Sequence, residues 1–316
     1  MTKDAVDGLE PALEGEVRLP RMQQGQRPQH LLVTLLGDYW FGRSEHLPSA
    51  ALVALLGEFG ITQVAARAAL SRLARRGLLD TSKEGRRTYY ALTARASAVL
   101  GDGVQRIMSF GTGTRKWDGV WRVAVFSVSE DRRDLRHAAR SRLRWLGFAP
   151  LYDGVWVSPH DVAAEAASTL ADLGVANYSV LAASVPPGIP QGLNPLAAWD
   201  LEELRAGYDR FVAEREGLLE RALSGTITVA EALVCRTEIM DTWRHFPNLD
   251  PELPTELLPA DWPLKRAHDL FAQLYDHLGP LAEIRVRQIV SRFSADLGGL
   301  VRHHTTRSVL ARSDHG

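Results

Sequence analysis

The chain has 316 residues, a length that favours two or three domains of roughly 100–200 residues each. Its 45% hydrophobic and 24% charged residues exclude fibrous and disordered proteins, and its single cysteine excludes an intrachain disulfide and a thiolate zinc site. The sequence has no signal-peptide core and no run of about 18 apolar residues, so we expect a cytoplasmic protein without a membrane segment.

Basic residues are concentrated in one segment of a chain whose formal net charge is only -1. Between His30 and Arg95 there are nine arginines and lysines against five acids, which is a net charge of +4. A basic segment in a neutral chain is typical of a module that contacts phosphate while its neighbours have other roles.

The first third of the chain predicts a DNA-binding domain. Residues 1–27 have no helical or strand period, so we expect a flexible arm without a site. Residues 28–111 contain two short helices, a third helix over 62–76, a β-hairpin around Gly85 and a further helix. Three helices followed by a hairpin predict a winged helix-turn-helix.

The third helix has the residues expected of a base-reading element. Thr62 is placed as its N-cap. Its polar face carries Gln63, Arg67, Ser71 and Arg75 at intervals of four residues, and its apolar face carries Ala66, Ala69, Leu70 and Leu73. Because the first residues of such a helix commonly reach base edges in the major groove, we assign that role to Gln63 and Arg67.

The remaining basic residues of this segment are assigned to phosphates rather than bases. On the helix these are Arg72, Arg75 and Arg76, and on the wing they are Lys83, Arg86 and Arg87, with Tyr89 or Tyr90 as a further hydrogen-bond donor. The alternative is an ordinary solvated basic face, which is the usual meaning of a run of charge. The order of basic helix, glycine turn and basic hairpin favours the DNA-binding interpretation.

The rest of the chain predicts two more domains, so that the fold class is α+β multidomain. Residues 117–185 show the order βαββαβ, which is a ferredoxin-like layout. After a Pro/Gly-rich linker, residues 195–302 predict an all-α domain with helices at about 199–222, 228–246, 264–278 and 280–294, interrupted by a proline-dense loop. We expect residues 303–316 to be a frayed tail.

Several stretches resemble the PaaX family of phenylacetic-acid degradation regulators, over about residues 29–290. They are RAALSRLARRGLL with GRRTYYALT, WDGVWRVAVFSV with RSRLRWLGFAPLYDGVWVSP, and LDPELPTELLPADWP with LFAQLYDHL. The resemblance implies a winged-helix head, a Cas2-like central domain and a helical C-terminal domain. It also implies a homodimer that represses aromatic-catabolism genes from a partly palindromic double-stranded DNA operator and is released by an aryl-CoA thioester such as phenylacetyl-CoA.

A candidate effector site lies in the C-terminal segment. Arg236 and Arg244 lie two helical turns apart, and Trp243 and Trp262 are close to them in sequence, so guanidinium groups and aromatic faces could hold the phosphates and ring of a CoA thioester. The alternative is that the aromatics are core and that the arginines pair with Glu238, Asp241 or Asp250. On this assignment, the base-reading helix and the effector site lie at opposite ends of the chain. The signal from a bound effector would therefore pass through the central domain.

The Cas2-like resemblance also raises a metal-dependent nuclease as an alternative function. Such enzymes place an acid at the end of the first strand, but here that strand ends at Ser127, and Glu130 and Asp131 fit better in the first turn of the next helix. The histidines show no metal-ligand spacing and no serine has the glycines of a nucleophile elbow. We therefore predict no catalytic residue, no metal and no cofactor.

Overall fold

A computed structural model describes residues 28–113, 115–186, 188 and 194–311. The predicted flexible arm, residues 1–27, lies outside the described residues. The described part of the chain forms two compact units. One unit contains residues 28–113, 207–249 and 263–311, and the other, which we call the sheet unit, contains residues within 115–206 together with 250–262.

The N-terminal part of the first of these units consists of helices and a small sheet. The helices are α1 Pro28–Tyr39, α2 Ser49–Gly57, α3 Gln63–Arg75 and α4 Ala94–Ser109. The strands β1 Leu47–Pro48, β2 Leu79–Glu84 and β3 Arg87–Leu92 form an antiparallel sheet in the order β1-β3-β2. The sequence analysis did not predict β1, which is only two residues long and pairs with Tyr89 and Tyr90 of β3.

The β2–β3 hairpin turns at Gly85, as the sequence predicted, and its loop is short. The pairing continues to Glu84 and Arg87, so only Gly85 and Arg86 remain in the loop. Gly85 has a φ of +59°, a left-handed value that glycine adopts without a steric penalty and that two-residue hairpin turns require.

The sheet unit is built on the predicted βαββαβ order. Its elements are β4 Trp121–Ser127, α5 Arg133–Trp145, β5 Ala149–Tyr152, β6 Val155–Ser158, α6 Ala163–Asp172 and β7 Asn177–Ala183. The strands form an antiparallel sheet in the order β5-β6-β4-β7. Phe126 and Trp156 from the sheet, Ala139 and Leu143 from α5, and Leu170 from α6 belong to one buried core.

Residues 250–262 belong to the sheet unit, although the sequence analysis placed this proline-dense loop in the helical domain. The backbone carbonyl of Pro251 lies 3.0 Å from Nε2 of His160, and the guanidinium of Arg115 donates to Glu252. Such long-range polar contacts are not encoded in local hydrophobic periodicity, and this is why the loop could not be assigned from its sequence.

The C-terminal helices are α7 Leu201–Ala213, α8 Glu216–Leu223, α9 Val229–Trp243, α10 Phe246–Leu249, α11 Leu264–Ser291, α12 Ala295–Leu300 and α13 Thr306–Leu310. The single helix predicted at 199–222 is divided, and the Arg215 guanidinium bonds the Phe211 carbonyl at the end of α7. No helix among the described residues is long and apolar enough to cross a membrane.

The prediction of separate helices at 264–278 and 280–294 was wrong, because α11 runs for 28 residues through Pro280. Leu274 and Leu278 before the proline and Ala282 and Val286 after it are all buried. Pro280 itself is exposed, so its ring is accommodated at the surface while packing continues on the other face.

The frayed tail was predicted at residues 303–316, and this prediction was wrong for the part that the structure describes. That part contains the helix α13. The backbone N–H and hydroxyl of Thr306 both donate to the Asp276 carboxylate at 2.8 Å, and Val309 is 7% exposed. Residues 312–316 of the predicted tail lie outside the described residues.

Candidate nucleic-acid interface

Helix α3 begins and packs as the sequence predicted. The Thr62 hydroxyl accepts a hydrogen bond from the Ala65 backbone N–H at 3.3 Å, so one of the unpaired donors of the first turn is satisfied. The apolar face is buried, with Ala66, Ala69, Leu70 and Leu73 no more than 1% exposed. This packing holds the helix with its opposite face toward solvent.

The predicted contact residues of α3 lie on its exposed side. All of them are exposed: Gln63, Arg67, Ser71, Arg72, Arg75 and Arg76. The Gln63 side-chain oxygen accepts from the Arg67 guanidinium at 3.4 Å, which brings the two predicted base-reading groups together. Among the described residues, no carboxylate forms a salt bridge with Arg67, Arg72 or Arg75. Their positive charge is therefore available to an external anion.

The β2–β3 hairpin extends this basic surface. Lys83, Arg86 and Arg87 are exposed. From Thr62 to Leu92 the chain has seven basic residues and two acids, Asp80 and Glu84, which is a net charge of +5. Because paired residues share a face of an antiparallel hairpin, Lys83 lies with Thr88 on one face and Arg87 lies with Glu84 on the other.

Tyr89 is already engaged within the hairpin. Its hydroxyl donates to the Glu84 carboxylate at 2.9 Å, and the side chain is half-buried. A phosphate contact through this hydroxyl would have to replace that hydrogen bond. The hairpin also makes a hydrogen bond to the segment before β1, because the Ser82 hydroxyl of β2 lies 2.9 Å from Nδ1 of His46.

The structure does not gather the four residues predicted for the effector into one site. Trp243 is 0% exposed and is stacked on Phe271 at 4.7 Å, as the core alternative expected. Arg244 forms an ion pair with Asp241, one of its three predicted partners. Trp262 belongs to the sheet unit, where the Arg205 guanidinium lies 5.6 Å from its ring centroid.

Arg236 is fully buried, and its ionic partner is none of the acids that the sequence suggested. Its Nη1 lies 3.3 Å from Oδ2 of Asp38 in α1, its Nε donates to the Tyr275 carbonyl at 3.0 Å, and its Nη2 donates to the His304 carbonyl at 2.6 Å. The guanidinium carbon lies 3.7 Å from the Tyr275 ring centroid. Arg236 itself is 0% exposed, so it has no surface atoms to offer a ligand in this arrangement.

Burial shifts the pKa of the Asp38 carboxyl, whereas the neighbouring groups decide the direction for Arg236. It raises the pKa of the Asp38 carboxyl, against the opposing effects of Arg236 and of the Tyr275 hydroxyl, which donates to Asp38 at 2.7 Å. Burial opposes the charging of Arg236, but Tyr275, Tyr39 and Asp38 together hold the pKa of its guanidinium above the usual value. The sequence analysis missed Asp38, although a lone acid in the apolar helix LLVTLLGDYW indicates a buried partner.

The nuclease alternative gains no support from the end of β4. Glu130 and Asp131 lie in a short 3-10 helix, Glu130–Arg132, just before α5. The Glu130 carboxylate lies 3.6 Å from the Arg136 guanidinium and its side chain is 79% exposed. Within the described residues, no group of three or more histidine, cysteine or acidic side chains could hold a metal ion.

The chain is similar to known proteins along three successive segments. Three family models match successive segments: "PaaX-like protein" at residues 27–96, "PaaX protein central Cas2-like domain" at 114–192 and "PaaX-like protein C-terminal domain" at 199–288. The chain is 28% identical over 258 residues to the transcriptional repressor PaaX of Escherichia coli (strain K12), with 80% of each protein covered.

A solved structure supports the fold alone. The uncharacterized protein Rv0674 from Mycobacterium tuberculosis has a TM-score of 0.53 and 24% identity to this chain, and the match covers 84% of this chain and 98% of that one. From the three family models and the curated relative, it follows that the chain belongs to the PaaX family.

Proposed function

We propose that this protein is a DNA-binding transcriptional repressor whose winged helix-turn-helix consists of α1, α2, α3 and the β2–β3 hairpin. The observation that supports this most directly is the exposed face of α3, where Arg67, Arg72 and Arg75 have no acidic partner among the described residues. The curated relative is a transcriptional repressor, which favours a regulator over an enzyme.

Within this proposal, the contacts divide into two kinds. Gln63 and Arg67, at the beginning of α3, read base edges in the major groove. Arg72, Arg75 and Arg76 near its end, with Lys83, Arg86 and Arg87 of the wing, neutralise phosphates and set the register of the protein on the duplex. Ser71 lies on the same exposed side of the helix.

The proposed effector is an aryl-CoA thioester such as phenylacetyl-CoA, and the proposed genes are those of phenylacetate or related aromatic catabolism. This part rests on the PaaX family membership and on no ligand contact. A homodimer on a partly palindromic operator fits the same family, because two copies related by a two-fold axis match two half-sites. The proposed site of action is the cytoplasm.

Footprinting on the DNA upstream of the protein's own gene tests the function. We expect protection of a short, partly palindromic region, and we expect phenylacetyl-CoA to abolish the protection while free coenzyme A leaves it unchanged. Binding without sequence preference would contradict the repressor assignment. Specific binding that no aryl-CoA thioester relieves would contradict only the effector.

A further inference from the structure

Helix α5 of the sheet unit carries a line of arginines that the proposed function does not use. Arg133, Arg136, Arg140 and Arg144 follow one another at intervals of three, four and four residues. At 100° per residue these positions fall within about 80° of one another, and they extend over about 16 Å of the helix. We call these four residues the arginine stripe.

The stripe lies away from the core that holds α5 in place. Ala139 and Leu143 of the same helix are 0% exposed and pack in the buried core of the sheet unit. Arg133 and Arg144 are exposed, and Arg136 and Arg140 are half-buried. The helix is therefore fixed by one face and presents its arginines on another.

Nearly all the charged residues of α5 are basic. The helix has five arginines, the fifth being Arg142 off the stripe, against one acid, Asp134, so its net charge is +4. For comparison, α3 carries three arginines between Gln63 and Arg75 and no acid. The stripe is thus at least as basic as the helix to which base reading is assigned.

Internal ion pairs satisfy the stripe only weakly. Arg140 lies 3.1 Å from the Asp153 carboxylate, whose side chain is 96% exposed, and Arg133 and Arg136 lie 4.0 Å and 3.6 Å from the exposed Glu130 carboxylate. Arg136 also donates to the Val128 backbone carbonyl at 2.9 Å, so it is the most firmly held of the four. Exposed pairs of this kind stabilise a protein by about 0–1 kcal/mol, whereas a phosphate can accept two parallel hydrogen bonds from one guanidinium. A phosphate can therefore displace these carboxylates at little cost.

One end of the stripe opens onto a shallow cleft beside the β5–β6 hairpin. Arg140 and Arg144 line the cleft with Tyr152 and Trp156. The Arg144 guanidinium lies 5.3 Å from the centroid of the Trp156 ring, and this contact orients the guanidinium while leaving its hydrogen-bond donors to a ligand. Tyr152 is 58% exposed.

We propose that the arginine stripe of α5 binds the sugar–phosphate backbone of duplex DNA without sequence preference, as a second contact in addition to α3. A small phosphate ligand needs one or two guanidinium groups, whereas an extended line of four arginines matches a polyanion that presents a phosphate at every step. The inference rests on the proposed DNA-binding function, and it adds a surface which that function does not require.

The test uses the full chain and two charge-matched variants. Arg140→Gln/Arg144→Gln removes two stripe arginines, and the control Arg132→Gln/Arg142→Gln removes two exposed arginines of the same region that lie off the stripe. Affinity is measured by fluorescence anisotropy over a range of salt concentrations, for the footprinted duplex with long flanks and for a scrambled duplex of equal length. Circular dichroism establishes that each variant is folded.

We expect the stripe variant to weaken binding to both duplexes and to reduce the slope of log affinity against log salt by roughly 1.8, which corresponds to two lost phosphate contacts. The control should keep the wild-type slope. Equal slopes for the stripe variant and the control would overturn the proposal. The wild type could bind the operator and the scrambled duplex equally well while the stripe variant still had a smaller salt slope than the control. That result would count against the repressor function and would still support DNA binding by the stripe.

A titration with phenylacetyl-CoA separates DNA from a small phosphate ligand. We expect the stripe variant and the wild type to have equal affinity for it. The stripe variant could instead fail to bind phenylacetyl-CoA while its DNA affinity kept the wild-type dependence on salt. In that case the cleft would belong to the effector, and the proposal would be overturned.

Discussion

Arg236 of α9 and Asp38 of α1 form a fully buried ion pair, with Nη1 and Oδ2 3.3 Å apart, although 198 positions separate them in the sequence. Tyr275 of α11 completes the contact through its hydroxyl and its backbone carbonyl. The C-terminal helices and the helices that precede α3 therefore share one interior. A signal need not pass through the sheet unit to reach α1, which differs from the relay that the sequence suggested.

Replacing Asp38 by Asn should strongly destabilise the unit that contains this pair. Asn retains an acceptor for the Tyr275 hydroxyl but leaves the Arg236 charge buried without a counter-ion, and breaking a buried pair in this way costs about 3–5 kcal/mol. Urea denaturation followed by circular dichroism, with hydrogen exchange in α1, measures the loss.

The matched control for this pair is the double variant Asp38→Leu/Arg236→Met. Because it removes both charges, we expect it to be more stable than either single variant. A single variant within about 1 kcal/mol of the wild type would show that the pair contributes little to folding.

Arg67→Ala should reduce the affinity for the cognate operator by roughly 1–3 kcal/mol and relax the base preference at one position. Arg72→Ala should instead weaken binding to the operator and to the scrambled duplex alike, because Arg72 is assigned to a phosphate contact. Arg95→Ala, an exposed arginine at the start of α4, is the control and should change neither affinity. Mobility shifts with both duplexes separate the three results, and equal losses for Arg67→Ala on both would remove its base-reading role.

Local features of the fold could be predicted from the sequence, whereas contacts between distant segments could not. The Thr62 cap, the buried face of α3 and the βαββαβ order all follow from short-range periodicity and turn residues. The partners of Asp38 and His160 depend on which elements pack together, and no local pattern specifies that. Arg236 and Trp243 were assigned to a ligand on residue type and sequence spacing, but both side chains lie in the interior.

Pro280 shows that a strong local signal can be overridden by packing. Since this residue is exposed within continuous helix, Pro280→Ala should restore a backbone hydrogen-bond donor without loss of buried surface. We expect stabilisation of about 1–2 kcal/mol, the helix gain being partly offset by the greater freedom of the unfolded chain.

Thermal unfolding compares Pro280→Ala with the wild type and with a control in the same helix. The control is Gln273→Ala, at an exposed position of α11 where the substitution should have little effect. A Pro280→Ala variant no more stable than the wild type would show that the helix is already relaxed around the proline.

The burial of the His160 side chain should make the sheet unit sensitive to acid. Burial lowers the pKa of the His160 imidazole below its usual value of 6.5, and the nearby Arg115 acts in the same direction, while the Pro251 carbonyl and Glu252 oppose them. The unfolded chain therefore binds the proton more readily, so this contribution to stability is present above pH 6.5 and is lost as the pH falls below it.

The measurement is the urea midpoint of the wild type and of His160→Gln at several pH values between neutral and mildly acidic. Other buried histidines titrate in both proteins, so the difference between the two curves isolates His160. We expect that difference to shrink as the pH falls. A difference that does not change with pH would mean that the His160 side chain acts only through its shape and its hydrogen bond.

Arg244 is the remaining arginine of the predicted effector site, and its substitution tests whether any of that site survives. Its ion pair with Asp241 leaves 12% of its side chain exposed, in contrast to the fully buried Arg236. If its guanidinium contacts a phosphate of phenylacetyl-CoA, Arg244→Ala should weaken binding by about 1.5–3 kcal/mol, which is the range for hydrogen bonds to charged groups. Calorimetry measures the affinity, with Arg221→Ala, an exposed arginine of α8, as the control. Equal affinities for Arg244→Ala and the wild type would place the effector elsewhere. Arg236, the other arginine of the predicted effector site, is fully buried and could not replace Arg244.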